Sequence, residues 1–253
     1  MSTARHTVFT EAEYEAAAQE YLRSLPLERF MEAIGQSTQR KITVESLDLV
    51  TARRPEVRVL SEMLVQYPVP GKSRPGQVVP DNMVVLSEQP LRADTCFNTP
   101  LEPAQPFWVL EYVSKHNKRK DYEDSFQKYE RDLKVPYYLV FYPEHQELSL
   151  YRHNGKKYVS VKPNKHGRYA IKELDLEMAL HEGWVRFWYE GQLLPLPAEL
   201  DRRATEAERR ATEEKQRADT LQRRLEEAER QLQQLAKPEQ SSPRRTNGRR
   251  PGT

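Results

Sequence analysis

An unbroken heptad pattern runs through the C-terminal part of this 253-residue chain and fixes its local structure. Eleven positions step by four and three from Leu200 to Leu235, and all of them except Glu214 carry Leu or Ala. This spacing predicts a helix with one narrow apolar stripe, which is typical of a coiled coil. A single solvated helix is the alternative, because the intervening charges are balanced. We predict a coiled-coil helix over residues 200–236 and a disordered basic tail over residues 237–253.

The other two hundred residues have a nearly neutral charge balance. Residues 201–253 hold 14 Lys and Arg against 10 Asp and Glu, a net charge of +4, whereas residues 1–200 hold 26 against 28, a net charge of −2. Cys96 is the only cysteine, which excludes a disulfide framework or a cysteine-based zinc site within the chain. The six histidines and nine glycines form no zinc-protease, dinucleotide or P-loop motif. No secretory signal or apolar run of membrane length is visible, so we expect a cytoplasmic protein without membrane contact.

The N-terminal region has helical periodicity. Apolar residues recur at three and four over residues 11–34, with an interruption at Pro26 and a stop signal at Gly35. Residues 43–53 form a second candidate helix. We predict a helical extension over residues 1–24 and a main domain over residues 25–199.

From residue 58 onward, the sequence pattern is typical of β-strands. Residues 87–105 contain three prolines and are predicted to form a loop. Two predicted strands, Phe107–Val113 and Tyr137–Tyr142, have apolar residues at both odd and even positions. This pattern predicts central strands that are covered on both faces. Asn154-Gly155 and Glu190-Gly191 each mark a hairpin. The predicted strands are Val59–Tyr67, Gln77–Leu86, Phe107–Val113, Tyr137–Tyr142, Glu147–Arg152, Lys157–Val161, Trp184–Tyr189 and Gln192–Leu194, and a polar helix is predicted over Lys118–Lys134.

Two carboxylates lie in apolar strand sequences. Asp81 lies within VVPDNMVV and Glu111 within FWVLEYV. Such residues are depleted in strands and rarely buried unless they are paired. On adjacent strands they could hold a divalent metal ion through oxygen ligands. Alternatively, each could point into solvent from a strand end or pair with a Lys or Arg.

The polar helix that follows Glu111 supplies cations. Asp121, Ser125, Lys128 and Asp132 are spaced by four, three and four, beside the apolar stripe of the helix. A lysine near a metal-bound water and a phosphate would stabilise developing negative charge. A cationic cluster at the start of the helix also suits phosphate binding, although a solvated charge run is its usual role. That cluster consists of Lys115, Lys118, Arg119 and Lys120.

The order of these short motifs resembles the Uma-type restriction endonuclease family of the PD-(D/E)XK nuclease superfamily. The resemblance covers about residues 25–198, and its order and strand–helix–strand context are more specific than any single motif. It is carried by Pro80-Asp81, Glu111-Tyr112-Val113-Ser114, Asp121, Tyr129 and the segment Val135–Pro143.

The resemblance implies an α/β (α+β) fold with a restriction-endonuclease-like mixed sheet flanked by helices. It also implies a phosphodiesterase site that uses Mg²⁺ (or Mn²⁺), with Asp81 and Glu111 as catalytic metal ligands. Val113 stands where the superfamily has a lysine. Relatives supply a lysine from the following helix, which makes Lys128 the candidate catalytic lysine. Lys115 and Lys120 are the alternative lysines, and Ser114, Asp121 and Tyr129 are supporting residues.

Two functions follow as hypotheses. The first is an Mg²⁺-dependent endonuclease that hydrolyses DNA phosphodiester bonds. The second is a catalytically inactive nuclease-fold protein that binds DNA or acts as a scaffold, because Val113 replaces the lysine. In both cases residues 200–235 are expected to form a homodimer.

Overall fold

The structure of the chain, a computed structural model, describes residues 9–26, 33–113 and 119–235. The chain divides into two compact units, Met1–Pro197 and Ala198–Thr253. The α-helices of the described residues are α1 (Glu11–Ser24), α2 (Ile34–Thr51), α3 (Arg119–Gln127) and α4 (Pro197–Leu235). The strands are β1 (Val57–Ser61), β2 (Leu64–Tyr67), β3 (Gly76–Val78), β4 (Asn82–Leu86), β5 (Cys96–Asn98), β6 (Pro106–Tyr112), β7 (Tyr137–Tyr142), β8 (Glu147–His153), β9 (Tyr158–Ser160), β10 (Tyr169–Ile171), β11 (Leu176–His181), β12 (Trp184–Tyr189) and β13 (Gln192–Leu193).

A six-stranded mixed sheet forms the centre of the first unit. Its strand order is β1-β4-β6-β7-β8-β9. The neighbours β6 and β7 are parallel, and the other neighbouring pairs are antiparallel. The predicted mixed sheet flanked by helices is therefore confirmed. The parallel pair is joined through the helical segment between β6 and β7, as a crossover connection requires.

Both faces of the central sheet are covered, which explains why β6 and β7 are apolar on both alternations. On one face, Trp108 and Leu110 of β6 pack with residues of α2 and of a second sheet, ordered β10-β11-β12-β13. On the other face, Val109 packs with residues of β2, β3 and the helical segment after β6. The strands β2, β3 and β5 form a third sheet in the order β3-β2-β5. Side chains of odd and even number on β6 thus belong to different layers.

The N-terminal helices differ in part from the prediction. α1 (Glu11–Ser24) confirms the first part of the helix predicted over residues 11–34. The helix predicted over residues 43–53 is present as part of α2, which begins earlier than predicted, at Ile34, and ends at Thr51. Residues 27–32 lie outside the described part. Gly35 lies in the first turn of α2 and is not a stop signal: a Cβ atom there would meet the Tyr112 hydroxyl oxygen, so the close approach of two elements explains the glycine.

Two predicted strands are each divided between two sheets. The segment 59–67 breaks at Glu62, which has a positive φ of 50°, and its halves become β1 and β2. The segment 77–86 breaks at Pro80 and Asp81, and its halves become β3 and β4. Pro80 cannot donate to a strand ladder, which accounts for the second break. The predicted loop 87–105 contains β5, which adds to the third sheet through a parallel pairing with β2.

The helix after Glu111 changes its geometry part way along. α3 is followed by a π-helical turn, Lys128–Leu133, which ends at Lys134 in the left-handed region, where φ is 51°. The predicted helix is thus present but not uniformly α-helical. The two hairpins marked by Asn154-Gly155 and Glu190-Gly191 are confirmed, as β8–β9 and β12–β13.

The second unit contains most of α4, which runs for 39 residues and confirms the helix predicted by the heptads. Leu221, Leu225 and Leu232 on its apolar stripe are more than half exposed. The basic tail 237–253 lies outside the described residues, so its predicted disorder stays a prediction. Among the described helices, none combines the length and the apolarity needed to cross a membrane.

Candidate active site

The register of β4 and β6 brings Asp81 and Glu111 together. Asn82, the first residue of β4, is paired with Leu110 of β6 in an antiparallel register. Asp81 precedes Asn82 and Glu111 follows Leu110, so the two acidic residues lie opposite each other at adjoining strand positions. Each of the two carboxyl groups affects the pKa of the other, as expected of close neighbours. Two residues that are thirty positions apart in the sequence therefore share one site, at the carboxyl end of β6.

The Asp81 side chain is held by two donors. The backbone N–H of Tyr112 donates to Oδ2 at 2.6 Å, and the Gln36 side-chain amide donates to Oδ1 at 2.7 Å. Tyr112 is the last residue of β6, and Gln36 lies in the first turn of α2. The α2 helix can come this close because Gly35 leaves room for the Tyr112 hydroxyl group. These two donors fix the orientation of the carboxylate without a positive charge.

The Glu111 side chain is held by Tyr129. The Tyr129 hydroxyl group donates to Glu111 Oε1 at 2.6 Å, and the tyrosine is almost fully buried, with 1% of its surface exposed. Tyr129 lies in the π-helical turn, a geometry that is frequent at functional sites. Its ring packs against Tyr138 of β7, at a centroid distance of 5.3 Å. Tyr129, a predicted supporting residue, thus orients one of the two carboxyl groups.

Burial raises the pKa of both carboxyl groups, and a neighbouring negative charge adds to it at each one: Glu62 at Asp81, and Asp81 at Glu111. Desolvation is the main cause at Asp81, whose pKa rises to about 6, against the lowering effect of the Tyr112 and Gln36 hydrogen bonds. Desolvation also dominates at Glu111, and the charge of Asp81 adds to it, so the pKa of Glu111 lies well above its usual value. Two carboxyl groups this close titrate as a pair. Such a pair takes up protons more readily than two isolated carboxyl groups do.

The donor set fits a hard divalent cation. Two adjacent carboxyl groups supply oxygen ligands, and a positive ion between them would offset the cost of ionising both in a partly buried site. Within the described ranges, no group of three or more His, Cys, Asp or Glu side chains is arranged to hold a metal ion. Two protein carboxylates suit Mg²⁺, which usually binds one or two carboxylates and keeps several waters.

Of the three candidate lysines, Lys128 is the one whose side chain the structure describes. Lys128 forms an ion pair with Asp124 of α3, with a nitrogen–oxygen distance of 2.6 Å. Ser125 and Lys128 were predicted to share a helix face, but the change to π-helical geometry at Lys128 alters that periodicity. Ser114 and Lys115 lie outside the described residues, as do the side chains of Lys120 and Asp121. Val113 is partly buried against the apolar cluster on the Glu111 side of the sheet.

An arginine–glutamate ion pair that sequence analysis did not predict adjoins the site. Arg40 follows Gln36 by one turn of α2 and pairs with Glu62, which lies between β1 and β2. The backbone N–H of Glu62 donates to Pro80 and Asp81 carbonyl oxygens at 3.2 and 3.3 Å. The charge of Glu62 contributes to the raised pKa of Asp81. Gln36, Arg40 and Glu62 join the site only through the packing of α2 and the β1–β2 turn.

The comparisons with known proteins place these residues in a family. No curated protein matches the chain. A crystal structure from Anabaena variabilis, described as a "putative nuclease" belonging to DUF820, matches with 13% identity and a TM-score of 0.44, over 57% of this chain and 75% of that one. The model of the Uma2 family, described as "Putative restriction endonuclease", matches residues 31–186, which include Gln36, Asp81, Glu111 and Tyr129. The resemblance noted in the sequence is confirmed: the chain belongs to the Uma2 family of nucleases.

Proposed function

We propose that this protein is an endonuclease that hydrolyses DNA phosphodiester bonds with Mg²⁺ or Mn²⁺. The observation that carries the proposal is the convergence of Asp81 and Glu111 at adjoining strand positions. Family membership supports a nuclease. Two partly buried carboxyl groups that have raised pKa values and no described ion pair with a cation are costly to ionise unless a positive ion binds between them.

Asp81 and Glu111 would hold the metal ion together. When bound, it would act as a Lewis acid on the phosphate and lower the pKa of a bound water. Gln36 and the Tyr112 backbone N–H keep Asp81 in place, and Tyr129 keeps Glu111 in place. Such outer partners of ligating residues typically change metal affinity or activity about 10- to 100-fold when they are removed. Because the pKa of Glu111 is raised, metal binding would compete with protonation of this carboxyl group.

Lys128 is the proposed cation that stabilises charge on the transferred phosphate. The Lys128 side chain is 30% exposed and that of its partner Asp124 is 61% exposed, so solvent reaches the ion pair. A buried network does not hold it, and a phosphate could therefore compete with Asp124. Lys115 and Lys120 stay the alternative lysines, and Ser114 and Asp121 stay proposed supporting residues.

The cleavage assay uses the full chain and supercoiled plasmid DNA. Wild type should nick the plasmid with Mg²⁺ or Mn²⁺ and stop when the metal is chelated. Asp81→Asn and Glu111→Gln, which keep the side-chain shape, should abolish nicking. Asp94→Asn changes an exposed carboxylate elsewhere and should leave it unchanged. Equal nicking by both active-site variants and wild type would contradict the assignment.

A catalytically inactive protein that binds DNA or acts as a scaffold is the second candidate. It is favoured by Val113 in an apolar environment and by the ion pair of Lys128 with Asp124. Metal titration separates the two candidates. A folded protein that binds neither Mg²⁺ nor Mn²⁺ would favour the inactive function, whereas metal binding that Asp81→Asn abolishes would favour the nuclease.

We also propose that the heptads of residues 200–235 join two copies of the chain. Two nuclease units in one particle would supply one site for each DNA strand, as double-strand cutting requires. Sedimentation of the full chain and of a chain ending at Leu200 tests this, because loss of dimers on truncation is the expected result. The cytoplasmic location expected from the sequence stays a prediction.

A further inference from the structure

We infer that α4 pairs with α4 of a second copy in a parallel, in-register coiled coil. This inference rests on the proposed dimer but not on the cleavage chemistry. It starts from the exposed stripe of α4. Leu221, Leu225 and Leu232 have 64, 61 and 67% of their surfaces exposed. Three large apolar side chains on one side of a helix favour burial against an equivalent stripe.

The heptad register follows directly from the stripe. Leu200, Ala207, Glu214, Leu221 and Ala228 occupy the d positions, and Ala204, Ala211, Ala218, Leu225 and Leu232 the a positions. The positions that flank this seam, e and g, set the orientation of a coiled coil through their charges. The g positions are Arg203, Arg210, Arg217, Arg224 and Gln231, and the e positions are Asp201, Glu208, Lys215, Gln222 and Glu229.

An antiparallel pairing would bring like charges together. In that orientation g faces g and e faces e of the other helix. Aligning the a and d layers about residue 216 places Arg217 against the partner's Arg217 and Arg210 against the partner's Arg224. On the other flank, Lys215 would face the partner's Lys215. Each of these contacts is repulsive, and none of the g contacts between charged residues is attractive.

A parallel pairing brings opposite charges together instead. Each g residue then faces the e residue five positions later on the partner. Arg203 faces the partner's Glu208 and Arg224 faces the partner's Glu229, and symmetry doubles each contact. Arg217 faces the neutral Gln222. The contact between Arg210 and the partner's Lys215 is the one repulsive contact. It lies beside Glu214 in the apolar seam, and the positive charge of Lys215 can offset the negative charge of the Glu214 side chains there.

Ion pairs within one helix do not account for the charges at the g and e positions. The ion pairs within α4 that are described join Arg209 to Glu213, Arg210 to Glu206, and Arg230 to Glu226, at a spacing of four residues. Neither Arg203 nor Arg224 takes part in these pairs. Arg210 is the one g arginine among these pairs, and it is also the g residue whose contact in a parallel pairing is repulsive.

The orientation can be tested with single cysteines in the full chain. Cys96 is buried and serves as the internal control, since wild type should not cross-link on oxidation. Ala228→Cys should form a disulfide-linked homodimer in high yield, because the two d positions face each other in a parallel pair. Mixing Ala204→Cys with Ala228→Cys should give no mixed cross-link, because the two positions are about 36 Å apart along the coil. A mixed cross-link would overturn the parallel assignment.

Charge reversal gives an independent test with opposite signs for the two orientations. The double variant Arg203→Glu with Arg224→Glu should weaken homodimers about tenfold or more in sedimentation equilibrium, because both parallel g–e contacts become repulsive. Mixing it with the double variant Glu208→Arg and Glu229→Arg should restore a heterodimer. Tighter homodimers of the first variant, or a monomeric or trimeric wild type, would overturn the inference. These results do not depend on nuclease activity, so its absence cannot be mistaken for a failure of pairing.

Discussion

Asp81→Asn should stabilise the metal-free protein at neutral pH while it destroys the metal site. The folded state raises the pKa of Asp81 from 3.8 to about 6. A tenfold change in an acid dissociation constant corresponds to about 1.4 kcal/mol. Burial of ionised Asp81 therefore lowers the free energy of unfolding by about 3 kcal/mol above pH 7. Asn keeps the shape and accepts the Tyr112 hydrogen bond, and the Gln36 amide can turn its carbonyl group toward the new NH₂ group.

The pH dependence separates the charge effect from small packing changes. A carboxyl group with a raised folded-state pKa binds more protons folded than unfolded, so its contribution lowers stability as pH rises from about 4 to about 6. The cost is absent well below pH 4 and complete above pH 7. The advantage of Asp81→Asn over wild type should therefore grow by roughly 2 kcal/mol between pH 4 and pH 8.

Urea unfolding at pH 4, 6 and 8 without divalent metal measures this difference. The exposed control Asp94→Asn should show no comparable growth with pH. At pH 8, added Mg²⁺ should stabilise wild type and leave Asp81→Asn unchanged, because ligand binding to the folded state adds to stability. An advantage that stays constant from pH 4 to 8 would refute the buried-charge argument.

Three further predictions follow from the same geometry. Mg²⁺ affinity should rise with pH, and metal binding should release protons, because the pKa of Glu111 is raised and ligation needs its ionised form. Calorimetry in buffers of different ionisation enthalpy measures this, and metal binding without proton release would contradict the raised pKa. Tyr129→Phe removes the donor to Glu111 and should weaken metal binding or cleavage about 10-fold or more. Tyr151→Phe, in the same aromatic cluster, should not. Equal metal affinities and cleavage rates for the two variants would leave Tyr129 without a positioning role. Lys128→Gln should lower the cleavage rate about 100-fold and leave metal affinity unchanged. Asp124→Asn, which removes the ion-pair partner of Lys128, should not lower the cleavage rate. Full activity of Lys128→Gln would point to Lys115 or Lys120 instead.

Local sequence patterns determined much of the architecture. The apolar runs at 107–113 and 137–142 predicted strands buried on both faces, and β6 and β7 are central strands of that kind. The heptads predicted α4 and its exposed stripe. These features depend on periodicity and turn chemistry that neighbouring residues carry themselves, so they can be inferred without tertiary contacts.

The candidate site could be predicted only in part, because some of its residues join it only through tertiary packing. Asp81 and Glu111 stood out because acidic residues are unfavourable in apolar strands, a signal that is present in the sequence. Gln36, Arg40 and Glu62 carry no such signal, since a glutamine or an arginine on a helix surface is ordinary. Their proximity to Asp81 comes from the close approach of α2 at Gly35 and from the β1–β2 turn.

The sequence by itself determined which residues could carry metal chemistry and where the chain forms its central strands and its long helix. The tertiary structure alone decided that β4 and β6 run antiparallel in the register that faces Asp81 with Glu111. It also decided that a π-helical turn directs Tyr129 to the second carboxyl group. Register and helix geometry depend on packing between segments far apart in the chain, and such long-range packing leaves no local pattern.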